Sequence, residues 1–229
     1  MSNYLPVTHV IFDMDGLLLD SEKVYLSSMT DVLLNKYGKI YTDELRVKVM
    51  GTVPLNTATI LVNELGLDIA PTDLMEEFYE VQLQRMVNVP LMPGATRLIN
   101  HLSENNVPIA VATSSGKETF KVKSADHQEF FSKFHHIVLG SADPEVKDGK
   151  PAPDIFLVCA SRFDDKPKPG KCLVFEDAPN GVTAARAAGM QAVMVPDKVI
   201  PIEKTSHATQ VITSLEQFKP EDFGLPPFK

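Results

Sequence analysis

Tryptophan is absent from the 229-residue chain, and cysteine is scarce, with only 2 residues. These two, Cys159 and Cys172, cannot build a disulfide framework and do not complete a metal site by themselves. Both have apolar neighbours, which is typical of buried thiols that are kept reduced inside the cell. We therefore expect a cytoplasmic location.

Long apolar runs are also missing. No segment approaches the roughly 18 consecutive apolar residues that a membrane-spanning helix requires. No basic segment precedes the short apolar run near the N-terminus, as a secretory signal would need. From these absences we expect no membrane partner and no signal segment to be removed.

Basic residues are outnumbered, because 22 Lys and Arg stand against 30 Asp and Glu, which gives a formal net charge of −8. Nucleic acid polymers and anionic membranes attract basic surfaces, so we expect neither as a main partner. The hydrophobic fraction of 44% is that of a globular protein, and the length allows one domain with an insertion. The sequence does not specify the oligomeric state, and a monomer is the working expectation.

Short apolar segments rich in β-branched residues predict buried parallel strands. Six such segments occur, the last of them weaker: residues 7–12, 108–113, 136–139, 171–175, 191–195 and 210–212. Between them, the helical period is carried by residues 94–105, 152–163 and 178–188. This alternation predicts an α/β fold with a Rossmann-like, doubly wound parallel sheet.

Between the first two predicted strands the alternation stops. Capping residues and glycines there predict four helices, over residues 21–38, 42–51, 56–65 and 72–88, with no credible strand. Because one strand precedes this stretch and the others follow it, the simplest topology is a small helical cap inserted into an α/β core. We predict a core of residues 1–18 and 92–229 and a cap of residues 19–91.

Polar residues follow several predicted strands, where open parallel sheets bind ligands. They are Asp13 and Asp15 after the first strand, Thr113 and Ser114 after the second, Lys150 in a loop, and Glu176 and Asp177 after the fourth. Several carboxylates at one edge cannot all ionise without a cation, and an oxygen-only set suits Mg²⁺. We therefore predict a Mg²⁺ site.

This residue set predicts phosphoryl transfer. Lys150 and the Thr113 hydroxyl can neutralise and hydrogen-bond phosphoryl oxygens, which allows the Asp13 carboxylate to attack phosphorus and form an aspartyl-phosphate. Asp15 can protonate the leaving alcohol and later deprotonate the attacking water. Thr113 and Asp177 also precede expected helices, so helix capping is an alternative role for each.

The order Asp13-Met-Asp15-Gly16, Thr113-Ser114, Lys150-Pro-x-Pro-Asp154 and Glu176-Asp177-Ala-x-x-Gly181 resembles the four signature motifs of the haloacid dehalogenase-like phosphohydrolases. The resemblance spans nearly the whole chain. It implies a small helical cap after the first motif. It also implies that Mg²⁺ is held by the Asp13 carboxylate, the Asp15 backbone carbonyl and Asp177, with Glu176 as a further possible ligand.

Two departures favour a phosphatase over a phosphomutase of this family. The mutases carry a cap-loop glycine followed three residues later by arginine, and a histidine five residues after the acid that follows the first motif. This chain has Gly51-Thr-Val-Pro54 and Tyr25 at those places. A sugar-phosphate phosphatase, a β-phosphoglucomutase-like phosphomutase and a non-catalytic phosphate-binding regulatory protein are the alternatives.

Overall fold

The computed structural model describes residues 4–49 and 54–228, without the side chain of Val47. The chain divides into two compact units, one up to Asp20 and from Pro90 onward, the other Ser21–Val89. These limits lie beside the predicted boundaries at residues 19 and 91. That the smaller unit acts as a cap stays a prediction, and Gly51 of the predicted cap loop lies outside the described residues.

The larger unit contains a six-stranded sheet. Its strands are β1 (His9–Phe12), β2 (Ile109–Thr113), β3 (His136–Leu139), β4 (Cys172–Glu176), β5 (Gln191–Met194) and β6 (Gln210–Val211). Their order is β3-β2-β1-β4-β5-β6, and every neighbouring pair is parallel. The predicted α/β fold class is confirmed. The strand order reverses between β1 and β4, which is where such sheets bind their ligands.

The smaller unit is helical throughout its named elements, which are α1 (Glu22–Tyr37), α2 (Asp43–Val49), α3 (Pro54–Leu65) and α4 (Pro71–Arg85). Its own apolar core includes Leu33, Leu61, Leu74 and Phe78. Gly38 ends α1 in the left-handed conformation, as expected of a glycine at that position. The predicted start of α4 at Thr72-Asp73 is wrong by one residue, because Pro71 occupies the first turn, where proline is favoured.

The sheet unit has five α-helices among the described residues: α5 (Ala95–Glu104), α6 (Lys117–Ser124), α7 (Gln128–Phe131), α8 (Asp154–Ser161) and α9 (Pro179–Ala187). Short 3-10 helices lie at Ala125–His127, Pro169–Lys171, Ile202–Thr205, Leu215–Gln217 and Pro220–Phe223. The sequence predicts no bounds for α6 and α7, because both are short and mostly polar. No helix of the described residues is long and apolar enough to cross a membrane.

The inner strands β1, β2, β4 and β5 are buried along their whole length. Parallel strands covered on both faces need continuous apolar runs, so polar residues occur only at their ends. Two of these polar residues, Thr113 and Glu176, stand at the carboxyl ends of their strands. The sheet therefore delivers a hydroxyl and a carboxylate to the same edge at which Asp13 follows β1.

The two chain segments that connect the units run side by side within the sheet unit. The Asp20 amide donates to the Pro90 carbonyl at 2.9 Å, and the Met92 amide donates to the Leu18 carbonyl at 2.8 Å. A turn follows β1 and contains Gly16, whose φ of 78° is disfavoured for residues with a side chain. This turn begins at the end of β1 and carries Asp15.

Candidate active site

Asp13 is the first residue after β1, and it is buried. Its amide donates to the Phe175 carbonyl of β4 at 3.0 Å, so the backbone is locked into the sheet where Asp13 begins. Lys150 places its Nζ atom 2.5 Å from Asp13 Oδ1 and 2.6 Å from Glu176 Oε1. The same ammonium donates to the Ala112 carbonyl at 3.2 Å. One lysine therefore joins the ends of β1, β2 and β4.

Glu176 ends β4 with its carboxylate fully engaged on both oxygens. Oε1 accepts from Lys150, whereas Oε2 accepts from the amides of Asp177 and Ala178, each at 3.1 Å. These amides stand just before α9, where unpaired N–H groups favour an anion. Ala178, not Asp177, occupies the N-cap position of α9.

The loop that carries Lys150 is held by Asp154 at the start of α8. Asp154 Oδ2 accepts from the amides of Lys147 and Asp148, at 3.0 and 3.1 Å. This fixes the loop against α8 on one side, while the Lys150 ammonium ties it to the sheet edge on the other. Asp154, the last residue of the third motif, thus orders the loop that presents Lys150.

The surroundings of Asp13 disfavour its ionised form. Burial raises the pKa of Asp13 to about 7. Lys150 opposes this rise, whereas the negative charges of Glu176 and Asp15 add to it. Burial alone would lower the pKa of Lys150, but Asp13 and Glu176 outweigh it and raise that pKa above its ordinary value. Lys150 is therefore a cation at neutral pH, and its single charge does not fully offset the neighbouring carboxylates.

Asp13, Glu176 and Asp177 together offer carboxylate oxygens that all lie within 4.8 Å of one another. An oxygen-only donor set of this kind suits a hard divalent cation. The raised pKa of Asp13 points the same way, because an added positive charge would keep that carboxyl ionised. The residues present therefore fit Mg²⁺. Glu176 is already bonded on both oxygens, which favours Asp13 and Asp177 as the carboxylate ligands.

The Asp15 side chain contacts a second lysine, Lys123. Its Oδ1 lies 2.6 Å from Lys123 Nζ, and its Oδ2 accepts from the Ser115 hydroxyl at 2.8 Å. Sequence reasoning missed Lys123, because a lysine in a short polar helix is typical of a solvent-facing position. Ser115 could have been found, since it stands two residues beyond the end of β2.

Thr113 is buried at the end of β2, with Oγ1 accepting from the Ser115 amide at 3.1 Å. Gly116, three residues later, is the N-cap of α6, so Thr113 does not cap that helix. Ser114 is exposed, and its carbonyl accepts from the Ser141 hydroxyl at 2.5 Å. Thr113 thus lies at the same sheet edge as Asp13, and Ser114 lies outward of it.

Comparison with known proteins shows the family to which the chain belongs. The family model of the haloacid dehalogenase-like hydrolases matches residues 7–189. A Drosophila melanogaster protein named as a probable pseudouridine-5′-phosphatase is 54% identical over 226 residues, covering 97% of this chain and 96% of that protein. The chain therefore belongs to the haloacid dehalogenase-like hydrolases. Within that family it is a phosphatase, as the names of its relatives also indicate.

Two further matches are a plant phosphatase and a solved structure of the family. The (DL)-glycerol-3-phosphatase 2 of Arabidopsis thaliana is 47% identical over 226 residues, covering 97% of this chain and 93% of that protein. The crystal structure of a family hydrolase from Deinococcus radiodurans R1, with bound phosphate and sodium, superposes with a TM-score of 0.77 at 24% identity. It covers 97% of this chain and 99% of that one, and at this identity it shows the fold alone.

Proposed function

We propose that this phosphatase is a Mg²⁺-dependent phosphomonoesterase that works through an aspartyl-phosphate and hydrolyses pseudouridine 5′-phosphate to pseudouridine and phosphate. The observation that carries the reaction type is the buried Asp13 carboxylate, which Lys150 holds at 2.5 Å beside Asp177 and Glu176. The substrate rests on the relative that is 54% identical over almost the whole chain.

In the first half of the reaction, an Asp13 oxygen attacks phosphorus and the bond to the ester oxygen breaks. Asp15 gives a proton to the leaving alcohol. In the second half, Asp15 takes a proton from water as that water attacks phosphorus, and the bond to Asp13 breaks to release phosphate. Two proton transfers by one residue return the enzyme to its starting state.

Lys150 and the hydroxyl of Thr113, with Ser114 beside it, neutralise and hydrogen-bond the phosphoryl oxygens. Mg²⁺, held by the Asp13 carboxylate, the Asp15 backbone carbonyl and Asp177, supplies positive charge to the same oxygens when bound. Glu176 keeps Lys150 in place. We further propose that residues 19–91 form a cap that closes over the substrate and excludes water.

Glycerol 3-phosphate is the second candidate substrate, because the plant relative named for it is 47% identical over 97% of this chain. A phosphomutase is less favoured, since Tyr25 replaces the histidine expected of that branch. We also propose that the protein is a monomer and that it is cytoplasmic. The two buried free cysteines support the cytoplasmic location.

A substrate panel tests the proposal. We expect kcat/KM for pseudouridine 5′-phosphate to exceed that for uridine 5′-phosphate, which has the same atoms and differs only in the glycosidic bond. A higher kcat/KM for glycerol 3-phosphate would favour the second candidate. Excess EDTA should abolish phosphate release in either case, and full activity in EDTA would refute the metal requirement.

A further inference from the structure

Lys123 is the most deeply buried cation outside the Lys150 group among the described residues. Its side chain has 0% exposure, although it sits near the end of the mostly polar helix α6. Its ammonium lies 2.6 Å from Asp15 Oδ1 and donates to Ser115 Oγ at 3.1 Å. Ser115 in turn donates to Asp15 Oδ2 at 2.8 Å. Three side chains thus form a closed ring of hydrogen bonds.

Stability alone does not explain this lysine. Burying an ammonium carries a large desolvation penalty, and replacing a buried ion pair by apolar side chains is often neutral or stabilising. An apolar residue would be the ordinary occupant of such a position. The arrangement does, however, constrain Asp15, because bonds to both oxygens fix the plane of the carboxylate, whereas one bond would leave it free to rotate.

The ring also separates two acids that stand two residues apart. Asp13 is bonded to Lys150, and Asp15 is bonded to Lys123 and Ser115. The bonds to both Asp15 oxygens hold its carboxylate in one orientation, two residues along the chain from the residue proposed to carry the phosphoryl group.

We propose that Lys123 and Ser115 are positioning residues that aim the Asp15 carboxylate at the water that hydrolyses the aspartyl-phosphate. The inference rests on the proposed function. In this step, water gives a proton to Asp15, a bond forms between the water oxygen and phosphorus, and the bond from phosphorus to Asp13 breaks. In this proposal Lys123 and Ser115 influence the reaction through Asp15.

Steady-state kinetics with p-nitrophenyl phosphate isolates this step. Its leaving group departs without a proton, so kcat/KM reports formation of the aspartyl-phosphate and kcat includes its hydrolysis. For Lys123→Met and Ser115→Ala we expect kcat to fall about tenfold or more, as part of the 10²–10⁴-fold typical of acid–base catalysis. KM should fall with it, and phosphoenzyme on Asp13 should accumulate, as measured by mass spectrometry.

Lys121→Met is the matched control, because Lys121 lies on the same helix and is exposed. In an Asp15→Asn background, Lys123→Met should cause little further loss, since both act in one step. If Lys123→Met lowers kcat by the same factor in the Asp15→Asn background as in the wild type, the inference is overturned. So would a kcat/KM that falls as far as kcat with KM unchanged, which is the mark of a merely structural role.

Ser115→Ala keeps the inference testable where Lys123→Met does not fold, and an unchanged kcat in that variant overturns it. A wild-type protein that hydrolyses no phosphate ester and forms no phosphoenzyme would refute the proposed function and the inference together. An active wild type with unaffected variants would refute the inference alone.

Discussion

Asp13 and Asp15 stand two residues apart, yet each carboxylate meets a different lysine from a distant part of the chain. Asp13 pairs with Lys150, 137 residues away, and Asp15 pairs with Lys123, 108 residues away. At the scale of single residues, the site is therefore made by long-range ion pairs across the edge of the sheet. Each pair is buried deeply enough that solvent screens it little.

Lys150→Met should both destabilise the protein and remove its activity. The substitution leaves Asp13 and Glu176 buried without the cation that bonds to both. Removing one partner of a buried pair typically costs about 3–5 kcal/mol, and we expect a loss in this range in the free energy of unfolding measured with urea. Phosphate release should fall by at least about 10²-fold.

The exposed Lys121→Met serves again as the control and should change the unfolding free energy by less than about 0.5 kcal/mol. Equal stability of Lys150→Met and wild type would mean that the Lys150 ammonium does not hold these carboxylates in solution.

Much of the site could be anticipated at this scale, but not all of it. Asp13 and Glu176 belong to recognisable motifs at strand ends and Lys150 to one in a loop, and the structure brings the three within hydrogen-bond distance, although their roles stay proposals. Lys123 could not be anticipated. Its burial depends on a partner 108 residues away, and no local pattern in α6 marks one lysine of the helix as different from the others.

At the scale of elements, the junction of β4 and α9 depends on one glycine. A Cβ atom at Gly181 would lie 1.9 Å from the Glu176 carboxyl, so only glycine allows α9 to approach the end of β4 this closely. Packing against Glu176 therefore explains why the last motif has a glycine at position 181. Through Glu176, this packing also determines where Lys150 sits.

Gly181→Ala should lower kcat/KM by about tenfold or more, because the carboxylate that holds Lys150 must move. In an open helix position the same substitution would stabilise by about 1 kcal/mol. Here we expect a loss of stability instead, which thermal unfolding measures. Gly170→Ala is the matched control, since nothing lies within 4 Å of its added Cβ. A Gly181→Ala protein with wild-type activity would contradict this account of the junction.

The elements were predictable to different degrees for a physical reason. Strands buried on both faces need unbroken apolar runs, which is why the four inner strands β1, β2, β4 and β5 were located within about two residues. Helix α9 ends at Ala187, one residue before the end of the predicted segment 178–188, and Gly189 follows it with a positive φ of 79°. Helix α6 gave no such signal, because its segment is polar and its buried face consists of Lys123 and Ser124.

At the scale of the whole molecule, a formal charge of −8 coexists with a proposed phosphate ester substrate. Lys150 supplies positive charge at the sheet edge where the phosphoryl group would bind, and a divalent cation would supply the charge that the carboxylates there still require. The net charge therefore argues against broad anionic partners and leaves a small phosphate ester open.

Two histidines of the sheet unit should contribute a loss of stability as the pH falls below about 6.5, because both are held neutral in the native state, whereas Asp13, with its raised pKa, contributes in the opposite direction. Burial lowers the pKa of His9, despite the opposing carboxylate of Asp165, and burial also lowers the pKa of His136. Below the unfolded value of 6.5 these two histidines bind more protons in the unfolded chain than in the native one, so their contribution to native stability decreases as pH falls.

His9→Gln should make this dependence shallower between about pH 7 and pH 5, as measured by urea unfolding at several pH values. His207→Gln, at an exposed position, should leave the slope as it is in the wild type. An identical slope in wild type and His9→Gln would show that His9 does not carry the effect.

The central claim is that Asp13 takes the phosphoryl group, and mass spectrometry of trapped enzyme tests it most directly. The Asp15→Asn protein, which should form the aspartyl-phosphate and hydrolyse it slowly, is mixed with Mg²⁺ and p-nitrophenyl phosphate and quenched in acid. We predict the added mass of one phosphoryl group, located to Asp13 and absent from an Asp13→Asn, Asp15→Asn protein. Release of p-nitrophenol without that adduct, or an adduct on another residue, would contradict the account.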